Sequence, residues 1–348
     1  MRTPRELSRR DFLRLLSLSL SGIALRPLPP LDEKGSLGLG RISSPQLIVR
    51  DIPGDSGQEA GVRTMDELVP LYSESRARSE AGRVTRWYRT RGGYIPAAYV
   101  QRVEHVLNTV RTSIGPRGIL GEVTVPFTDT FAAPSASSPF VYRLYYAGVV
   151  RVLGAVQDRG AAWWYRVLDD RSEREYFVPA RHVREILPEE VSPITPDVPA
   201  GRKHVQVDLR LQALVAYEYG EPVFRTDLSG GRSMWQADPT APVRSLTPVG
   251  SFRVSFKRPS RTMLDADFPT ANGFARPGIP WVSYFHAKGE AFHGVYWHDN
   301  FGQPMSHGCL NLRPGDALWI YRWTRPHAGY DQDQVAGEGT TMEITDGA

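Results

Sequence analysis

Cys309 is the single cysteine in 348 residues, and it lies in the hexapeptide Ser306-His307-Gly308-Cys309-Leu310-Asn311. Three of the eight histidines, His293, His298 and His307, fall in the same stretch, His293–Leu312. A thiol attacks carbon as the thiolate, and a nearby imidazole can take its proton or steady the anion. Gly308 lets the backbone approach a bound acyl carbon, and amide N–H groups at Gly308 and Cys309 can be aimed at a developing oxyanion. The chemistry available to these residues is acyl transfer through a cysteine. Other roles exist for the same types. A solitary cysteine can be a small buried apolar residue, and histidines with a thiolate can hold zinc. The spacings His293–His298 and His307–Cys309 match none of the common zinc patterns, so metal is the minor reading.

The elements around these residues carry further motifs. His293-Gly294 followed by Ser306-His307-Gly308-Cys309 resembles the signature of the L,D-transpeptidase (YkuD-type) catalytic domain, where a His-Gly pair precedes Ser-x-Gly-Cys by a dozen or so residues. Thr247-Pro248-Val249-Gly250-Ser251-Phe252 resembles that family's T-P-x-G-x-F segment. His204-Val205-Gln206-Val207-Asp208-Leu209 is similar to its opening strand, and Ser229-Gly230-Gly231 to its short S-T-G turn. The resemblance spans residues 203–345. It implies a β-sandwich-like catalytic domain with one or two short helices, and a peptidoglycan L,D-transpeptidase, an acyltransferase that needs no cofactor or metal.

In that family the thiol forms a thioester with a stem tetrapeptide, cut between its third, diamino residue and the terminal D-Ala. The side-chain amine of a neighbouring stem then opens the thioester. The resemblance makes Cys309 the nucleophile and His293 the general base, with the carbonyl of Gly294 orienting the imidazole and the N–H groups of Gly308 and Cys309 forming the oxyanion hole. His307 occupies the variable slot as a pocket residue. If Cys309 lies on a strand, His307 faces the same side and rivals His293 as base. Asn311 departs from the commoner Arg, replacing a charge with an amide. Ser306, His307, Asn311, Tyr284 and Trp297 are the candidate substrate-binding residues. His286 and His298 read as surface or strand histidines. Peptidoglycan stem peptides and carbapenem-type inhibitors are the expected partners. An L,D-carboxypeptidase using water, a wall-binding protein and a metal-dependent hydrolase are the alternatives.

Charge adds little. The net charge of +4 arises within residues 1–30, where six arginines face Glu6 and Asp11; the remainder holds 36 basic and 36 acidic residues. No nucleic-acid partner is expected. Ser8-Arg9-Arg10-Asp11-Phe12-Leu13-Arg14 resembles a twin-arginine export motif, and the apolar run Leu15–Leu25 follows it. That run is shorter than the ~20 residues of a comfortable membrane span. Residues 1–30 therefore read as a signal segment that exports the chain to the periplasm or cell wall and supplies the only membrane contact.

Residues 31–61, rich in Gly, Ser, Pro and Asp, read as a linker. An internal repeat follows. Trp87-Tyr88-Arg89 precedes Tyr94-Ile95-Pro96-Ala97-Ala98-Tyr99-Val100, and Trp164-Tyr165-Arg166 precedes Phe177-Val178-Pro179-Ala180-Arg181-His182-Val183. Each copy predicts strand, turn, strand and a short helical turn. The copies resemble small bacterial Src-homology-3-like β-barrels at 62–105 and 120–187, with a short helix expected within 104–118. Tyr142, Tyr145, Tyr146, Trp163 and Trp164 serve either as core or as a ligand groove. Four prolines mark a hinge at 188–202. Beyond it the pattern predicts antiparallel strands, a turn at Gly220-Glu221-Pro222 and a helix at Asp316–Trp323. The expected fold class is mainly β.

Overall fold

The computed structural model describes residues 36–78, 84–231, 247–264, 273 and 275–346. Residues 1–30, read from the sequence as a signal segment, lie outside them. Among the described residues no helix is long and apolar enough to cross a membrane. The chain is mainly β, with strands in five sheets and, among the described residues, one α-helix, Pro314–Trp323.

The repeat recurs as structure. Strands Val84–Thr90 and Gly93–Pro96 lead through the turn Ala97–Tyr99 to Val100–Val103; strands Trp163–Leu168 and Glu175–Pro179 lead through Ala180–His182 to Val183–Glu185. Even the register agrees, since Trp87 pairs with Pro96 and Trp164 with Pro179. The proline's fixed φ starts each turn. Ala97, Ala180, Val100 and Val183 are all buried beneath it.

Two expectations fail here. Residues 31–61 are not simply a linker, because Gly38–Ile42 pairs with Leu68–Leu71 and Val100–Val103, and Gln46–Arg50 pairs with Glu59–Thr64. Leu39, Ile42, Leu47 and Val49 are buried there. The apolar alternation is short and sits among turn residues, which hid it. Residues 104–118 form no helix. The Val106 amide donates to Thr124 O and that of Asn108 to Arg181 O, both at 2.9 Å. These donors serve the neighbouring strands and are lost to a helix.

Residues from Lys203 onward build two more five-stranded sheets. In one, Lys203–Asp208 is central, antiparallel to Ala213–Glu218 and parallel to Thr341–Thr345. The hairpin after Glu218 turns on Tyr219 and Gly220, both at positive φ, one step earlier than expected. Pro222 lies instead in Glu221–Asp227, an edge strand, where the missing N–H does no harm. The second sheet places the long strand Ala275–Tyr284 between Phe256–Leu264 and Ala291–Gly294, with Leu310–Leu312 parallel to the last. Val205, Val207, Leu214, Trp281, Phe292, Leu310, Leu312, Ile320 and Met342 share the core between the sheets and the helix.

The helix begins two residues earlier than expected, with Pro314 at its first turn and Asp316 accepting from Thr226 Oγ1 at 2.6 Å. Its C-terminal carbonyls meet two buried amines. Lys203 Nζ donates to Trp323 O and Ile194 O, and Lys257 Nζ to Tyr321 O and Thr324 O. Amine donors there satisfy carbonyls that the helix end leaves without an intrahelical partner.

Residues 188–202 are tied down and are not a free hinge. Ile194 N donates to Arg322 O, Arg322 Nε to Ser192 O, and Arg325 Nη2 to Pro196 O. The prolines prevent regular structure, but the carbonyls of this stretch still find donors at the helix end.

Candidate active site

The site is built on two hydrogen-bonded strands. Parallel pairing sets Phe292 against Leu310, His293 against Asn311, and Gly294 against Leu312. Phe292 and Leu310 enter the core, so His293 and Asn311 share the opposite face. Cys309 lies in the bend immediately before Leu310. The fold thus sets Cys309 at the entry of the strand that pairs with that of His293.

His293 is buried, and its Nδ1 lies 3.0 Å from the Gly294 carbonyl oxygen. A carbonyl only accepts, so Nδ1 carries the proton and Nε2 keeps its lone pair. Burial lowers the imidazole to about 4, with Arg276 adding to the effect and the Gly294 carbonyl opposing it. Cys309 retains some exposure as a residue, yet burial of its sulfur raises the thiol to about 11; the Glu290 carboxylate raises it too, while the Ala291 N–H lowers it. The resting pair is a neutral imidazole and a neutral thiol. The thiol contacts Gly289 O at 3.9 Å, and among the described residues no hydrogen bond joins it to His293.

The loop that presents the sulfur is closed on itself. Ser306 Oγ donates to Cys309 O, and Gly308 N donates back to Ser306 Oγ at 3.1 Å. The Gly308 amide is therefore committed, a correction to its expected place in an oxyanion hole, because the serine two residues earlier captures it. The Cys309 N–H bonds no acceptor among the described residues. Gly308 sits at φ +144°, a conformation that favours glycine.

The upstream motifs converge on this loop. Thr247 Oγ1 donates to Gly308 O at 2.9 Å and accepts from Gly231 N at 2.8 Å. Gly230 O accepts from Met305 N and Ser306 N, and Ser229 exchanges two backbone hydrogen bonds with Asn311.

The remaining candidates divide. Tyr284 is half-buried at its strand end, close enough that the Cys309 charge helps raise its hydroxyl, after burial as the main cause. Trp297 lies 6.0 Å from the His293 ring, with the Arg276 guanidinium 4.4 Å over its own ring. His307 is exposed, whereas Asn311 is buried. His286 is half-buried against Glu290 at 2.7 Å. His298 departs from expectation: it is buried, with Nδ1 3.3 Å from Asn300 N and Nε2 3.1 Å from the Asn311 amide. Position in a loop rich in aromatics was its only sequence signal.

Fold and site define a β-rich region that carries an oriented imidazole on one strand and a thiol at the entry of the strand beside it. Residues 202–344 match the model of the YkuD L,D-transpeptidase catalytic domain. Among solved structures, the L,D-transpeptidase of Enterococcus faecium, as a cysteine-to-serine mutant, is 20% identical over 41% of this chain and 50% of its own, with a TM-score of 0.31. That of Xylanimonas cellulosilytica is 24% identical over 41% and 60%, with a TM-score of 0.29. The E. faecium catalytic domain acylated by ertapenem is 21% identical over 41% and 97%, with a TM-score of 0.27. The chain spans half to three-fifths of the first two. No curated protein matches the chain.

Proposed function

We propose that this protein is a cysteine-dependent L,D-transpeptidase that cross-links peptidoglycan. The carrying observation is the His293 imidazole, which is held by the Gly294 carbonyl so that Nε2 can accept a proton, on a strand paired with the one that Cys309 leads into. The match of residues 202–344 to the family model supports the substrate class.

The thiol leaves Gly289 O and passes its proton to His293 Nε2 as Sγ bonds to the carbonyl carbon of the third stem residue. The oxyanion forms against the Cys309 N–H. Collapse expels D-Ala, which takes the proton from His293, and leaves a thioester. A diamino side chain from a second stem then loses its proton to His293, attacks the thioester and frees the thiol. The chain would reach its polymer by twin-arginine export, and the two repeats, read as Src-homology-3-like barrels, would lie against the wall.

A carbapenem tests the thiol, because its strained amide traps a nucleophilic sulfur as a stable acyl adduct. Intact-mass spectrometry should show one adduct on the wild type and none on Cys309→Ala. A wild type that gains no mass overturns the assignment. Labelled tetrapeptide then separates the acceptors: cross-linked dimers report transfer, while tripeptide with free D-Ala reports hydrolysis.

A further inference from the structure

The first repeat, together with the strand Gly38–Ile42 that pairs into it and the adjoining Ser43, reaches the segment that joins His293 to Cys309. Arg41 Nη2 donates to Tyr296 O at 2.5 Å, and Ser43 Oγ donates to Trp297 O. Asp299 is gripped from several sides. The Tyr88 hydroxyl donates to its carboxylate, Arg86 Nη1 donates to its carbonyl at 2.7 Å, and its own N–H donates to Ala97 O at 3.2 Å. Arg86 Nη2 also lies 3.8 Å from the Asp299 carboxylate. Tyr88 is itself fully buried.

This hold continues toward the reacting groups. The residue after Asp299 is Asn300, whose N–H meets His298 Nδ1. A neutral imidazole that accepts at Nδ1 carries its proton at Nε2 and must donate there. Its partner is the Asn311 amide, and the amide atom without a partner is the one turned away from His298. Because O and N of an amide are assigned by their partners, the oxygen belongs against Nε2–H and the NH2 is the free end. Asn311 pairs in register with His293. Trp297, whose carbonyl Ser43 holds, lies beside the His293 ring.

We propose that the first repeat is a positioning device for catalysis: Tyr88 and Arg86 hold Asp299, and His298 carries that hold to Asn311 beside the base. The substrate class rests on the transpeptidase reading; the positioning itself does not.

The test uses the full chain with Tyr88→Phe, Asp299→Asn, His298→Ala and His298→Gln. The readout is the maximal rate of carbapenem acylation at Cys309, together with the half-saturating concentration. A misplaced reacting group slows chemistry, so Tyr88→Phe, Asp299→Asn and His298→Ala should each lower the maximal rate roughly tenfold with half-saturation unchanged. His298→Gln restores a donor near the Nε2 position and should recover most of the rate. Wild-type maximal rates in all three variants overturn the proposal, as does a loss confined to half-saturation. If the wild type resists the carbapenem, the transpeptidase reading falls alone. Iodoacetamide alkylation of Cys309 then decides the positioning: an altered rate in Tyr88→Phe and Asp299→Asn supports it, and wild-type rates overturn it.

Discussion

Proton inventory governs the site at the scale of single residues. With the imidazole near 4 and the thiol near 11, both groups are neutral across the intervening range. The proton therefore moves during attack, and no ion pair waits at rest. The acylation rate should be flat through neutral pH, fall as pH drops through about 4 and His293 protonates, and rise as pH nears about 11. A stopped-flow profile with an inflection at the ordinary imidazole value would count against the buried base. His293→Ala should cost about 10²–10⁴-fold in acylation, the usual worth of a positioned base, read in the same assay. Cys309 and His293 stood out in the sequence as candidates because their residue types and spacing together are rare. His298 was not, since a histidine's role depends on which donors surround its two nitrogens, and these come from Asn300 and Asn311. The occupied amide of Gly308 was hidden for the same reason.

Strands and the helix set tolerances that single residues cannot. A Cβ on Gly294 would lie 2.8 Å from Pro280 Cγ and 3.0 Å from Pro314 Cα, between the long strand and the helix start. Gly294→Ala should cost about 1–3 kcal/mol by overpacking and slow acylation as the His293 strand is pushed aside; thermal melting and the acylation assay read the two effects. Lys257→Met would strand the carbonyls of Tyr321 and Thr324 at the helix end. A loss of about 1–3 kcal/mol is expected in urea unfolding. The strands Lys203–Asp208, Ala213–Glu218 and Glu221–Asp227 were largely readable from alternation and turn residues, but the parallel pairings with Thr341–Thr345 and between Ala291–Gly294 and Leu310–Leu312 were not. The strands Gly38–Ile42 and Gln46–Arg50 were not, because a few apolar residues among glycines and serines satisfy a linker equally well. Nor was the extended path of 104–118, where the amides of Val106 and Asn108 are claimed by Thr124 and by Arg181 in the turn of the second repeat.

Across the whole molecule, buried histidines couple folding to acidity. Burial lowers His182, His293 and His327 to about 4 each. Their folded values lie below the unfolded one, so the unfolded chain binds more protons as pH falls from the ordinary imidazole range. Stability conferred by the neutral rings is complete above that range and declines as pH drops toward about 4. Calorimetric melting temperatures should fall steadily over this window, and a flat profile would show that the rings titrate normally. The repeat was legible as sequence, and its register confirms the alignment. Its contacts with Tyr296, Trp297 and Asp299 were invisible, since nothing in a strand's pattern tells which distant loop will lie against it.

The stapled stretch 188–202 has one more consequence. Its carbonyls are bound at the helix end, and Tyr330 bridges the second repeat through Leu120 N and Ile186 O. The second repeat cannot swing about this joint as a tethered module would. Any polymer it gripped would meet the sulfur at one set span, as work in a vice meets a fixed tool, and spacing along the polymer would decide which stems come within reach.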